Sequence, residues 1–393
     1  MTAFIVSLFA FGTFGDAYSN SADASSTQTQ SSLFTHAPGS PISLASGPGN
    51  VVVGDMNNDG NLDLVMSSER ERGIVILPGK GDGQFAAPLS RTITPDSPGD
   101  MALGDLNSDA NLDLAITSHD SYGVMLLRGD GKGSLAIAPN SPMVMKVGQH
   151  PHTHGLAVAD MNGDNRLDLI SCNNADNDIS IALGDGRGNF TRATQSPFPV
   201  GPSPYPFAVG DVNNDERLDI VATASATGPQ RRQQLSLSRA LTLLLSDGKG
   251  GFRPSQLAIR TGEPWFAAIG DFNNDRKPDI VATHHELNAM TVMIGDGRGG
   301  FVEARQSPFE FQHAFFQVAL ADANRDGNVD IFAAGGDRIG VILGDGRGGF
   351  TAVMEPVARG AYRVAIADVN KDRRIDVVTT SAQSNSVSVL LGR

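Results

Sequence analysis

The chain has a single cysteine, Cys172, among its 393 residues. That excludes an intrachain disulfide framework and fits no cysteine-based metal site. Aromatic residues are sparse at 6%, with one tryptophan and four tyrosines. No apolar run approaches the ~18 residues of a membrane span. No basic stripe with interleaved aromatics is present, which argues against nucleic-acid binding. Glycine, by contrast, is plentiful at 45 residues. That balance suits many short strands and tight turns better than long helices.

The first residues differ from the rest. Residues 3–14 (AFIVSLFAFGTF) form a 12-residue apolar run, the length of a secretory h-region, with AYS and ADA following as cleavage signals. No Lys or Arg precedes the run, so a misplaced start codon or a truncated signal is the alternative. Residues 1–19 are expected to be a signal peptide and 20–31, rich in Ser, Thr and Gln, a flexible linker. The expected location is secreted, extracellular or periplasmic.

The nine-residue pattern D-x-N-x-D-x-x-x-D occurs at Asp55, Asp105, Asp160, Asp211, Asp271, Asp322 and Asp368, at spacings of 46 to 60 residues. Internal repetition at that period marks stacked units. An apolar segment such as VVVG or VAIA precedes each box, and another such as LDLVMS or IDVVTT follows. A third segment usually ends in a glycine turn such as GDGRG. A fourth begins at Phe85, Leu135, Phe190, Phe252, Phe301 or Phe350. Four short strands per unit predict an all-β fold, a seven-bladed β-propeller of four-stranded blades over residues 32–393. The seventh unit stops after its third segment, while SLFTHAPGSPI at 32–42 matches NFTRATQSPF at 189–198. The N-terminal strand is therefore expected to complete the last blade and close the ring, leaving no half-built edge.

The boxes concentrate the acidity. They hold 21 aspartates, three in each, and the other 22 acids stand against 30 Lys and Arg in the whole chain. The net charge of −13 is thus local and points to cation sites. Side-chain oxygens at box positions 1, 3 and 5, a carbonyl at 7 and an acid at the end make a calcium-like ligand pattern. Magnesium would demand a stricter octahedron, and zinc would want His or Cys.

With these boxes in register, the chain resembles the FG-GAP/VCBS repeat family, whose members include the integrin α-subunit propellers. The resemblance covers all seven units and implies calcium between the first and second strands of each blade. Carried onto this sequence, the ligands of the first three units are Asp55, Asn57, Asp59, Asn61 and Asp63; Asp105, Asn107, Asp109 and Asp113; Asp160, Asn162, Asp164 and Asp168. In the next two they are Asp211, Asn213, Asp215 and Asp219, then Asp271, Asn273, Asp275 and Asp279. The last two hold Asp322, Asn324, Asp326 and Asp330, then Asp368, Asn370, Asp372 and Asp376. Position 6 of such a loop favours glycine because the backbone turns sharply there. Gly60, Asn165 and Gly327 suit it, so up to seven ions are expected, held most tightly in units 1, 3 and 6. Ala110, Glu216, Arg276 and Arg373 depart from the pattern, and the alternative for such boxes is a hydrogen-bonded turn without metal.

Ligand recognition is expected on the face opposite the boxes. Six residues before each box in units 3–7 stand His154, Tyr205, Trp265, Phe316 and Tyr362, and Arg363 follows the last. They read either as an aromatic platform for a glycan or protein, or as packing that plugs a channel mouth. Seven of the eight histidines fall in loops assigned to this face: His119, His150, His152, His154, His284, His285 and His313. Solvated loop histidines are the plainer reading, a transition-metal site the other. A long insertion, 227–239, carries Arg231, Arg232 and Arg239. The function expected is a calcium-stabilised, monomeric binding module for a glycan or extracellular protein, not an enzyme. The alternative is a polysaccharide lyase-like enzyme, which would need a positioned base and a charge neutraliser. The histidines and Arg363 are its candidates.

Overall fold

A computed structural model describes residues 32–393 except 69, 90, 95–96, 225–238, 261 and 285–286. The expected signal peptide and linker, the core of the 227–239 insertion with Arg231 and Arg232, and His285 lie outside the described residues. Within them the fold is all-β; the one helical element is the 3-10 turn Asn174–Asp176. No helix among them is long and apolar enough to cross a membrane.

Each repeat builds an antiparallel meander. In unit 3, Thr153–Ala159 pairs with Asp168–Asn173, that strand with Asp178–Gly184, and that with Phe190–Arg192. The second strands are buried on both faces, as at Asp168–Asn173, which is why they read as unbroken apolar runs rather than alternating ones. Fourth strands begin at Leu135, Phe190, Phe252, Phe301 and Phe350, as the sequence suggests. Unit 1 differs: Phe85 makes only an isolated bridge to Gly79, and the strand is Arg91–Ile93. Pro88 intervenes, and proline supplies no N–H to a ladder.

Units 1 to 5 each form a separate sheet, and units 6 and 7 share one. There the chain runs through two points where other units have loops. Asp330–Gly344 spans the second and third strands of unit 6, and Phe350–Ala367 spans its fourth strand and the first strand of unit 7. The N-terminal strand Phe34–His36 pairs with the C-terminal strand Ser386–Gly392, with Phe34 opposite Gly392.

A repeated device fixes the outer strands. In four Ser-Pro steps the serine Oγ accepts a hydrogen bond from a third-strand amide: Leu126 to Ser141, Ile181 to Ser196, Val292 to Ser307 and Val389 to Ser40, at 2.7–2.9 Å. The last belongs to the N-terminal segment, which thus makes the same contact with the seventh unit that the others make within theirs.

The core lies between neighbouring sheets. The second box residue inserts into it: Met56 packs with Met101 and Leu114 of the next unit, and Leu106 with Val158 and Leu169. Burying such a side chain contributes about 1.5–3 kcal/mol. The last unit follows the same pattern, since Val369, Val378 and Val387 pack with Val51, Leu64 and Met66 of the first. The first strands neighbour one another from unit to unit, and Phe350–Ala367 lies against Val51–Gly54.

Candidate metal loops and the opposite face

Each box is the connection between a first and a second strand. Its final aspartate turns inward and is buried. One Asp63 oxygen accepts the Met56 amide at 2.9 Å and the other the Gly79 amide at 2.8 Å. The same two bonds recur in every unit; Asp168 takes Met161 and Gly184, and Asp376 takes Val369 and Gly392. This aspartate ties the box to the end of the third strand. The approach is close enough that a Cβ on Gly79 would sit 2.1 Å from the Leu62 carbonyl oxygen, so a side chain there would displace backbone; in unit 4 the equivalent donor is Ser246.

Burial and the nearby box carboxylates raise the pKa of these inward aspartates, against the two amides that favour the anion. Asp168, Asp219, Asp330 and Asp376 rise to about 6, with burial the largest cause.

Positions 1, 3 and 5 behave differently. Asp59 N–H donates to both Asp55 Oδ1 (3.1 Å) and Asn57 Oδ1 (3.0 Å), and Gly60 N–H donates to Asp55 Oδ2 (2.8 Å). Asp59 Oδ1 accepts from Asn61 N–H (2.7 Å). The three side chains are drawn into one solvent-facing turn, and each oxygen has a second lone pair. Two carboxylates and an amide oxygen in an open loop fit a hard cation that keeps some water. The inward aspartate is buried and accepts an amide at each oxygen, and the box carboxylates lie close enough to raise its pKa. Among the described residues no three His, Cys, Asp or Glu side chains are arranged to hold a metal ion. A box offers two such acids and an asparagine.

The turn at position 6 has a positive φ in all seven boxes, from +62° at Asn165 to +87° at Gly327. Ala110, Glu216, Arg276 and Arg373 therefore hold left-handed backbone without glycine's freedom. A second aspartate, missed in the sequence, organises the glycine turn after the third strand. Asp185 Oδ1 accepts the Arg187 and Asn189 amides, and Asp296 Oδ1 those of Arg298 and Gly300. These turns brace the box of the preceding unit: Gly133, Gly188 and Gly348 donate to the carbonyls of Met56, Leu106 and Phe272, each at 3.0 Å.

At the other end of the strands the aromatic arc divides in two. His154, Tyr205 and Trp265 stack at ring distances of 4.2 and 4.4 Å and are buried. That half packs rather than presenting an open platform. Phe316 and Tyr362 form a tilted pair at 5.2 Å and stay half-buried, with the Arg363 guanidinium 5.0 Å from the Tyr362 ring centre. One residue further along each first strand, Asn50, Asp100, Gln317 and Arg363 are buried polar groups. Asp100 accepts from Asn50 Nδ2 and from the Gly155 amide, and lies 3.7 Å from Arg363 Nη2.

Nor do all the histidines sit in solvated loops. His154 lies within a strand and His284 ends one, bonded through Nε2 to Thr291 Oγ1 at 2.7 Å. Both are buried because these strands extend past the loop boundaries read from sequence. His119 and His152 are half-buried beside His154, while His150 and His313 are exposed. Burial lowers the pKa of His152 and of His284.

The FG-GAP-like repeat model matches residues 55–116, 105–171, 160–222, 271–333 and 322–379, well over half the chain. The chain belongs to the FG-GAP-like repeat family. No curated protein matches it in sequence. Among solved structures it is similar to BBS1N in complex with ARL6DN, with a TM-score of 0.63, 12% identity, and 92% of this chain and 98% of that one covered. It is also similar to an Agrocybe aegerita lectin described as recognising non-reducing terminal N-acetylglucosamine, with a TM-score of 0.57, 18% identity and coverage of 80% and 81%. At such identities the likeness carries the fold alone, that of an FG-GAP β-propeller.

Proposed function

We propose that the protein is a secreted, calcium-stabilised binding module, a closed ring of seven blades that recognises a glycan or a protein on the face opposite its boxes. The half-exposed Phe316–Tyr362 pair backed by Arg363 carries this reading. It offers two half-exposed aromatic rings, tilted 47° to each other, with a buried cation beneath, suited to a sugar face or a partner's side chain. The lectin and the BBS1N complex are binding proteins on the same fold, which supports a binding role here.

Ring closure is supported by the pairing of Phe34–His36 with Ser386–Gly392 and by the core shared between last and first units. Calcium would be held at positions 1, 3 and 5 of each box, for example by Asp160, Asn162 and Asp164, where it would offset the crowded carboxylates. Seven divalent ions would bring fourteen positive charges against a net −13. Extracellular calcium near millimolar fills even weak oxygen-ligand sites, which agrees with export.

Glycan arrays and co-purification from surface extracts, run with wild type and the Phe316→Ala/Tyr362→Ala double variant, test the reading. Binding lost in the variant supports it; equal binding by both moves the site elsewhere. A lyase assay on acidic polysaccharides runs beside them, and turnover would replace the binding-module reading with the enzyme.

A further inference from the structure

The histidines at the junction of units 2 and 3 form a cluster that the binding face and the boxes do not explain. His119 follows the second strand of unit 2, Asp113–Thr117; His152 precedes the first strand of unit 3 and His154 lies within it. Two residues apart on extended backbone, His152 and His154 can project to one side. Their Nε2 atoms are 2.9 Å apart. The His119 ring lies 4.7 Å from that of His154 and 5.7 Å from that of His152.

We propose that His119, His152 and His154 bind a divalent transition metal ion of the zinc or copper class. Imidazole is the ligand such ions favour, and calcium in the boxes would not compete for it. The change needed at the His152–His154 pair is small. A tetrahedral ion with bonds of about 2.0–2.1 Å holds its donor nitrogens roughly 3.3 Å apart, so the His152–His154 contact opens by a few tenths of an ångström. The ion takes the place of the proton now shared between the two rings. His154 is already oriented by stacking on Tyr205, itself stacked on Trp265. His119, half-buried on a turn with its Nε2 shut off from solvent, would have to turn inward as the third donor, since the three rings do not yet surround one point. Water fills the fourth position. Asp120 lies near enough to His152 to favour added positive charge there.

Cobalt(II) and zinc(II) titrations of the full chain in excess calcium test the site. Wild type should take up one cobalt ion with the visible absorption of a nitrogen-ligated tetrahedral site, displaced by zinc. His119→Gln and His152→Gln should each weaken binding at least tenfold while metal-free melting and circular dichroism stay those of wild type. Should either variant misfold, imidazole NMR of wild type decides: cobalt broadens the His119, His152 and His154 resonances selectively. Binding unchanged in both folded variants, or broadening centred on other histidines, overturns the proposal, as does wild type giving no more binding heat than the His119→Gln/His152→Gln double variant.

Discussion

Asp100 and Arg363, from the second and seventh units, meet as a buried ion pair, Oδ1 to Nη2 at 3.7 Å, with side chains 1% and 3% exposed. Asp100 also binds Asn50 Nδ2 and the Gly155 amide, so one carboxylate links units 1, 2, 3 and 7. Removing one member of a buried pair costs more than removing both, because a buried charge keeps its desolvation cost without its partner. Asp100→Ala should destabilise by about 3–5 kcal/mol. The double variant Asp100→Leu/Arg363→Met should recover much of that loss. Urea unfolding of the three proteins measures it; additive losses would contradict the coupling.

The left-handed position 6 gives a test free of side-chain contacts. Ala110→Gly should stabilise by about 0.5–1 kcal/mol, because Ala110 has φ +68° and glycine relieves it. Gly60→Ala should destabilise by about 1 kcal/mol. The added methyl would meet only the Lys371 Nζ, 4.0 Å away, so the effect is one of backbone. Thermal melts in chelator and in calcium check both.

The inward aspartate is a mechanical tie. Asp168→Ala strands the Met161 and Gly184 amides in a buried place, and two unmet donors cost about 2–4 kcal/mol together. The same change at exposed Asp164 should cost far less stability in chelator yet weaken calcium binding. Paired chemical unfolding and calcium titration separate the two roles; equal loss of stability in chelator would contradict them.

His284 supplies a pH signature. Burial holds its pKa below the ordinary 6.5, so on acidification the unfolded chain takes the proton before the folded one. Its contribution to stability is present above pH 6.5 and is lost as pH falls below that value. His284→Gln should therefore lose less stability than wild type between pH 7 and pH 5. Chemical unfolding across that range, compared as a difference between the two proteins, checks the sign.

Much of the fold was legible because it is periodic. Seven boxes between apolar strands gave the meanders, and the likeness of residues 32–42 to the outer strands of other units anticipated the pairing of Phe34 with Gly392. The turn aspartates and the Ser-Pro serines recur as well, but recurrence does not say which amide a side chain accepts, so their hydrogen bonds passed unread. The aromatic arc was legible as a position but not as an exposure: stacking buries Tyr205 and Trp265, while Phe316 and Tyr362 remain half-open. The histidine cluster depends on how the loop around His150 packs against unit 2, where the Tyr122 hydroxyl accepts the His150 amide, and spacing alone does not encode that.

Calcium calorimetry on chelator-treated protein, with a thermal melt at each step, tests the central claim most directly. The account predicts several bound ions per chain and a large rise in melting temperature, reduced stepwise as Asp55, Asp160 and Asp322 are replaced by alanine. Binding of none or one ion with no change in melting would contradict it, and the boxes would then be turns held by their own hydrogen bonds.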